Sequence, residues 1–314
     1  MTEVSRAFAG EHGAMNNWDK IWKKRTAKIE NRATVFEMFK ELKRADGFDT
    51  QDVQGYYEAF FRQWECMAQR IETGCAGTIG SLYEIGCGSG VNLYLFSTLK
   101  HVAVLGGLDY SKNLIRIAQS VVTEADVGCE EALRVPTEPK YDVVLADSVF
   151  QYFNDAAYGQ KVLERMWAKA GKMVGVTEVH DQEKKDEHMA YRRKCVENYD
   201  EVYAGLDKTF YTREMFLQFA EEHGGRCEIV QPDNELYWNN RFVFTVKEGE
   251  HRSVWKALLK TYLSYGFTGI ILNNVLSWVW ITQLGISKFI APVINLLFSV
   301  PINFIMNKFY TFKA

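Results

Sequence analysis

The run Leu82-Tyr83-Glu84-Ile85-Gly86-Cys87-Gly88-Ser89-Gly90 has the residue types and spacing best suited to binding chemistry in this chain. A carboxylate stands two positions before the first of three alternating glycines. Such glycines let a backbone turn sharply and let a ligand lie directly against it. A pyrophosphate crevice of the G-x-G-x-x-G kind is not predicted, because Val91 stands where its third glycine belongs. Asp109 follows Glu84 by 25 residues. Its two acceptor oxygens suit a vicinal diol. Asp126, Asp147 and the pair His180-Asp181 are further titratable groups at expected strand ends. A histidine can take a proton near neutral pH.

Alternating strand and helix patterns position these groups. Strands are expected at 81–85, 102–108, 141–146 and 172–176, with a short third strand ending near Asp126. Helices are expected at 91–99, at 113–123 behind Ser111 as N-cap, and at 161–168. Thr212 caps a helix running to His223 and stopped by Gly224-Gly225, and a strand pair at 227–230 and 241–246 closes the domain. The pattern predicts an α/β fold with a doubly wound, mostly parallel seven-stranded sheet covered on both faces. The charged segment 181–207 is expected as a helical insertion. Residues 14–75 carry stripes at helical spacing: Trp18, Ile21 and Trp22; Val35, Phe36, Phe39 and Leu42; Tyr56, Tyr57, Phe60, Phe61 and Trp64. These aromatics either pack onto the main domain or form a lid over a ligand.

Residues 75–250 resemble the class I S-adenosylmethionine (SAM) dependent methyltransferases. The glycine turn, Asp109 and the segment 141–153 carry the likeness. The resemblance implies SAM as cofactor, held by Glu84, Gly86, Cys87, Gly88 and Gly90 at the turn. It implies that Asp109, with Tyr110 beside it, accepts from both ribose hydroxyls, and that Asp126 and Val127 meet the adenine. Asp147, Ser148 and Val149 then lie beside the methionine and sulfonium, followed by Phe150-Gln151-Tyr152-Phe153, whose aromatic faces attract such a cation. The implied reaction is direct in-line methyl transfer, in which a protein mainly orients reactants and excludes water. Catalytic base candidates are His180, Asp181 and Tyr152, with Glu178 also open.

With 314 residues, two domains fit the length, and a net charge of −3 gives no electrostatic pull on nucleic acid. The six cysteines form no C-x-x-C pair, so neither a metal site nor a disulfide framework is expected, and a reducing cytoplasm fits. The polar, charged N-terminus argues against a secretory signal peptide. Residues 261–287 and 289–307 contain no charge. Each exceeds the roughly 18 apolar residues of a candidate membrane span, and together they predict a hairpin. The segment 300–312, with Asn303-Phe304, Asn307-Lys308-Phe309 and Phe312, resembles the GtrA-like membrane family, which is linked to lipid-bound sugars and surface polysaccharide. That family generally has four spans; two are expected here. Lys256, Lys260, Lys308 and Lys313 flank the hairpin and place both ends in the cytoplasm. Amides such as Asn273, Asn274, Gln283 and Asn295 should face another helix, in a second copy or another membrane protein.

The expected organisation is an N-terminal helical lid (1–75), a SAM-dependent methyltransferase domain (76–250) and a membrane hairpin (256–314). The expected function is methylation of a small or lipid-linked acceptor at the cytoplasmic membrane, with an envelope sugar leading and a quinone or other isoprenoid as the alternative acceptor. A non-enzymatic alternative is a regulatory subunit of a lipid-linked sugar flipping or transferase assembly. A protein acceptor ranks lower.

Overall fold

The computed structural model describes residues 18–25, 27–30, 33–48, 55–232, 234, 239–247 and 272–306. The chain divides into two units, Met1–Lys247 and Glu248–Ala314.

Among the described residues, three helices precede the sheet: α1 (Trp18–Lys24), α2 (Val35–Ala45) and α3 (Tyr56–Gly74). Thr34 caps α2, its hydroxyl accepting from the Glu37 amide at 3.1 Å. The α/β body follows as β1 (Ser81–Ile85), α4 (Val91–Lys100), β2 (Val104–Asp109), α5 (Lys112–Val121), β3 (Asp126–Cys129), β4 (Tyr141–Asp147), α6 (Ala156–Lys169) and β5 (Ala170–His180). An insertion carries α7 (Lys185–Cys195) and α8 (Tyr199–Val202). Then come α9 (Arg213–Glu222), β6 (Gly225–Val230) and β7 (Asn240–Lys247).

The seven strands run in the order β3-β2-β1-β4-β5-β7-β6. All pairings are parallel except those of β7, which is antiparallel to both neighbours. The order reverses between β1 and β4, so a crevice opens beyond their carboxyl ends. Period-two alternation sorts β4 between two cores. Val143 and Leu145 face one cluster with Phe39, Trp64, Leu93 and Phe96; Val144 and Ala146 face the other with Val162, Met166 and Phe219.

Three boundaries differ from expectation by three residues or more. β3 begins at Asp126 rather than ending there, because its short stretch carries little alternation. β5 extends to His180 and α6 starts at Ala156, where Asp155 accepts from the Tyr158 amide at 2.7 Å. Ser111 is the N-cap of α5 by position, yet its hydroxyl donates to the Trp22 carbonyl at 3.0 Å instead of capping. The aromatic stripe of α3 does pack inward: Tyr57, Phe60 and Trp64 are buried, and Trp64 meets Phe96 edge-on at 5.4 Å.

In the second unit, α10 (Asn273–Trp278) and α11 (Ala291–Met306) are the described α-helices. Asn295 is buried and satisfied between them. It donates to the Ser277 hydroxyl (2.7 Å) and the Asn273 carbonyl (3.1 Å) and accepts from the Trp280 indole (2.9 Å). This amide therefore finds its facing helix inside the unit. Phe289, Val293, Leu296 and Leu297 point outward. Among the described residues no helix is long and apolar enough to cross a membrane. Much of the first expected span, the end of the GtrA-like motif and the four flanking lysines lie outside the described residues.

Leu42 is fully buried where α2 meets α4. Leu42→Ala is expected to cost about 3 kcal/mol of stability, read as a lower midpoint in urea unfolding.

Candidate active site

The glycine turn is held open by its backbone. Gly86, Gly88 and Gly90 all have positive φ, at 70°, 53° and 85°. A side chain on Gly86 would strike Val149, and one on Gly88 would come within 2.6 Å of Asp46 Oδ1. The Gly86 and Cys87 amides donate to the Leu108 carbonyl at 2.7 and 2.9 Å, which fastens the turn to the end of β2. Asp109 completes the join: its carboxylate accepts from the Gly88 amide (3.1 Å) and the Ser111 amide (2.7 Å). Burial pushes its pKa up to about 6, against the pull of those two amides.

A cavity of about 990 Å³ lies over this turn. Its wall includes Glu84, Gly86, Cys87, Gly88, Asp109, Tyr110, Asp147, Ser148, Val149 and Tyr152, all named from the sequence. Glu84 is 2% exposed, and burial holds its carboxyl well above the usual range. Asn92 on α4 donates to Glu84 Oε1 at 2.6 Å and to Asp147 Oδ2 at 3.1 Å. Thr177 on β5 donates to Asp147 Oδ1 at 2.6 Å. Ser148 and Glu178, beyond and near the ends of adjacent strands, have φ of 59° and 55°. Left-handed non-glycine residues cluster where function demands a particular side-chain aim.

Five of the sequence candidates lie off the cavity wall. Gly90 packs its backbone against Ala118 and serves the turn. Asp126 and Val127 start β3, and the wall is formed instead by Cys129, Glu130 and Glu131 at and beyond its far end. His180 is buried against the rings of His188 (4.7 Å) and Phe210 (5.3 Å), with Nδ1 2.9 Å from Asn240 Oδ1. Burial pushes its pKa well below the usual histidine value, so it is neutral. The Asp181 carboxylate is fully enclosed and paired with Arg213 (2.7 Å) and Arg241 (3.1 Å). Both residues thus sit among contacts of β5, β7 and the insertion rather than on the cavity wall. Tyr152 does line it, flanked edge-on by Trp18 (5.0 Å) and Trp22 (5.2 Å), with Lys208 Nζ 3.6 Å over its ring.

The N-terminal helices contribute to the wall: Trp22 of α1, one of the aromatics offered by the sequence for packing or for a lid, and three residues that the sequence reading missed, Lys23 from α1 and Lys43 and Asp46 from the end of α2. Asp46 accepts from the Ser89 amide and hydroxyl, both at 2.8 Å, and burial raises its pKa to about 7. One signal was present: Lys43 continues the apolar stripe Phe36, Phe39 at helical spacing. Helix α1 reaches both sides of the crevice. Trp18 donates to the Asp207 carbonyl at 3.0 Å, and Asn113 donates to the Lys23 carbonyl at 3.1 Å.

Residues 83–175 match the family described as a methyltransferase domain, and residues 234–312 match the GtrA/DPMS transmembrane domain. The chain thus carries a methyltransferase domain followed by a GtrA/DPMS transmembrane domain. A malonyl-[acyl-carrier protein] O-methyltransferase of Bacillus cereus is 24% identical over 155 residues, 48% of this chain and 56% of that protein. The same-named protein of Priestia megaterium is 29% identical over 96 residues, 30% of this chain and 35% of that protein. The chain spans about half the length, or less, of these curated relatives. The plantazolicin methyltransferase BpumL, crystallised with a triazolic desmethylPZN analog and SAH, shares the fold with a TM-score of 0.52. It is 15% identical, with 74% of this chain and 99% of that one covered. The wall also fits SAM on its own chemistry. Asp109 keeps lone pairs free for a diol, side-chain-free backbone floors the crevice, and Glu84 offers a buried carboxylate oxygen with no hydrogen-bond partner among the described residues.

Asp181→Asn is expected to lower stability by about 3 kcal/mol, because buried Arg241 loses its counter-charge, while affinity for SAM stays within twofold (roughly 0.4 kcal/mol). Urea unfolding and titration calorimetry read the two effects separately.

Proposed function

We propose that the protein is a membrane-associated SAM-dependent methyltransferase acting on a small or lipid-linked acceptor. The observation that carries this reading is Asp109, locked by two backbone amides at the end of β2 beside a bare glycine floor. Bound SAM supplies an electrophilic methyl group and a good leaving group. The protein's own residues then bind, orient and shield. Asp109 accepts from the ribose hydroxyls, the glycine turn allows close approach, and α1 with Trp22 covers the crevice against water.

Burial keeps the Tyr152 hydroxyl protonated well beyond neutral pH, so it acts as a donor that positions the acceptor. Glu178 is buried and does not form part of the cavity wall itself, but it is the neighbouring carboxylate we propose to receive a proton: burial and the Asp147 charge raise it to about 7. Gln63 fixes its other oxygen at 2.8 Å.

The acceptor we favour is a sugar of an envelope polysaccharide, in its lipid-linked form. The GtrA/DPMS match supports a membrane-borne acceptor, since tethering raises the local concentration of enzyme where that acceptor lies. The lysines flanking the hairpin support a cytoplasmic catalytic unit. The same match favours a second reading, a subunit of a lipid-linked sugar flipping or transferase assembly. Calorimetry separates them, because only the enzyme must bind SAM.

Asp109→Ala is expected to raise the Kd for SAM by about ten- to a hundredfold, as loss of hydrogen bonds to a charged group costs about 1.5–3 kcal/mol. Unchanged affinity removes the ribose assignment. Affinity should also hold steady above pH 7 and weaken by up to about tenfold per unit below pH 6, as Asp109 gains a proton and loses acceptor strength. Binding in that range should release protons, measured by calorimetry in buffers of different ionisation enthalpy.

A further inference from the structure

The insertion between β5 and α9 carries two cations that no carboxylate neutralises. Elsewhere in this segment such charges are paired, Lys184 with Glu187 at 2.9 Å and Arg193 with Asp200 at 3.1 Å. Arg192 and Lys208 form no ion pair with any described residue. The Arg192 guanidinium lies over the Tyr199 (5.4 Å) and Tyr203 (5.2 Å) rings. The Lys208 ammonium lies over the Tyr152 ring and gives one of its three donors to Gln151 Oε1 at 2.9 Å. Both residues are half-buried, so they are partly stripped of water and still within reach of a ligand. Neighbouring groups feel the uncompensated charge. Burial, and then Arg192, push the Lys208 pKa well below the usual lysine value against the pull of Glu178. Burial, and then Arg192 and Lys208, bring His188 down to about 4. Like charges held together away from bulk water are unfavourable until an anion completes them. The pair therefore suits an anion supplied by a ligand.

We propose that Arg192 and Lys208 hold a phosphate group carried by the methyl acceptor, a role that rests on the cavity being a methyltransferase site. Tyr152 joins the two places, since it belongs to the cavity wall and carries Lys208 on its ring face. Gln151 links them again: it accepts from Lys208 and donates to the hydroxyl of Ser148, a wall residue, at 2.8 Å. Phosphate fits this pair better than a carboxylate does. A guanidinium fork from α7 and an ammonium from the segment before α9 come from two separate elements. Phosphate offers them acceptor oxygens on several sides, whereas a carboxylate offers two in one plane. A soluble sugar phosphate and a prenyl phosphate both present this group, and the test separates them.

The test uses the full chain in detergent micelles with S-adenosylhomocysteine present. Calorimetric titration compares glucose 1-phosphate with glucose, and farnesyl phosphate with farnesol. The favoured phosphate should bind at least about tenfold more tightly than its phosphate-free counterpart, the worth of charged contacts. Glucose 1-phosphate as the tighter probe assigns the phosphate to a soluble sugar; farnesyl phosphate assigns it to a lipid. In Arg192→Gln and in Lys208→Gln the preference should shrink about tenfold while SAM affinity stays within about twofold. No preference for phosphate in the wild type overturns the assignment without any variant, so a misfolded variant leaves the proposal decidable. A preference that survives both substitutions also overturns it, since the phosphate then binds elsewhere. Succinate binding more tightly than either phosphate overturns it too, because that marks a carboxylate site. SAM is titrated separately. A chain that binds no SAM sinks the methyltransferase reading and the acceptor role with it, whereas a chain that binds SAM without a phosphate preference sinks this assignment alone.

Discussion

Burying a carboxylate without compensation is costly, and this chain gathers Asp46, Glu84, Asp109 and Glu178 in and around one crevice. All four have raised pKa values for the same first reason, burial. The surrounding architecture answers that constraint. Positive φ at the glycine turn aims the Gly88 amide at Asp109. Asn92 on the first helix after the turn bridges Glu84 and Asp147. The end of α2 brings a lysine to the cluster and an aspartate to the turn. The N-terminal helices are thus bound into the site's electrostatics as well as packed on the sheet.

The strand-helix alternation was readable because apolar runs of β1, β4 and β5 lie between cores on both faces, which leaves an unmistakable pattern. The turn was readable because glycine spacing reports backbone geometry directly. β3 was displaced by several residues, since Asp126-Val127-Gly128-Cys129 offers one buried side chain and no alternation. Lys43 escaped notice for a different reason: its place on the apolar stripe of α2 marks it as inward-facing, but the long-range charge cluster it joins has no local signature. Its neighbours Glu84, Asp147 and Glu178 are separated in sequence and meet only through sheet order. His180 and Asp181 sit at a strand end, as expected. Only three-dimensional packing could reveal that Arg213 and Arg241 occupy the aspartate and that Asn240 and Phe210 enclose the histidine.

The second unit follows the same economy of polar groups with different means. Asn295 draws Ser277, Trp280 and the Asn273 carbonyl into one network between α10 and α11. In an apolar surrounding such a network fixes which faces of two helices meet. It leaves Phe289, Val293, Leu296 and Leu297 on the outside.

Helix α1 has only seven residues, yet it is stitched to the start of α5 through Ser111 and Asn113 and to the insertion through Asp207. A segment so short has little intrinsic helical stability of its own. Its anchors, rather than its backbone, set how long it stays down. Trp22 and Lys23 form part of the crevice wall, so the hold of those three hydrogen bonds decides whether that stretch of wall stays in place.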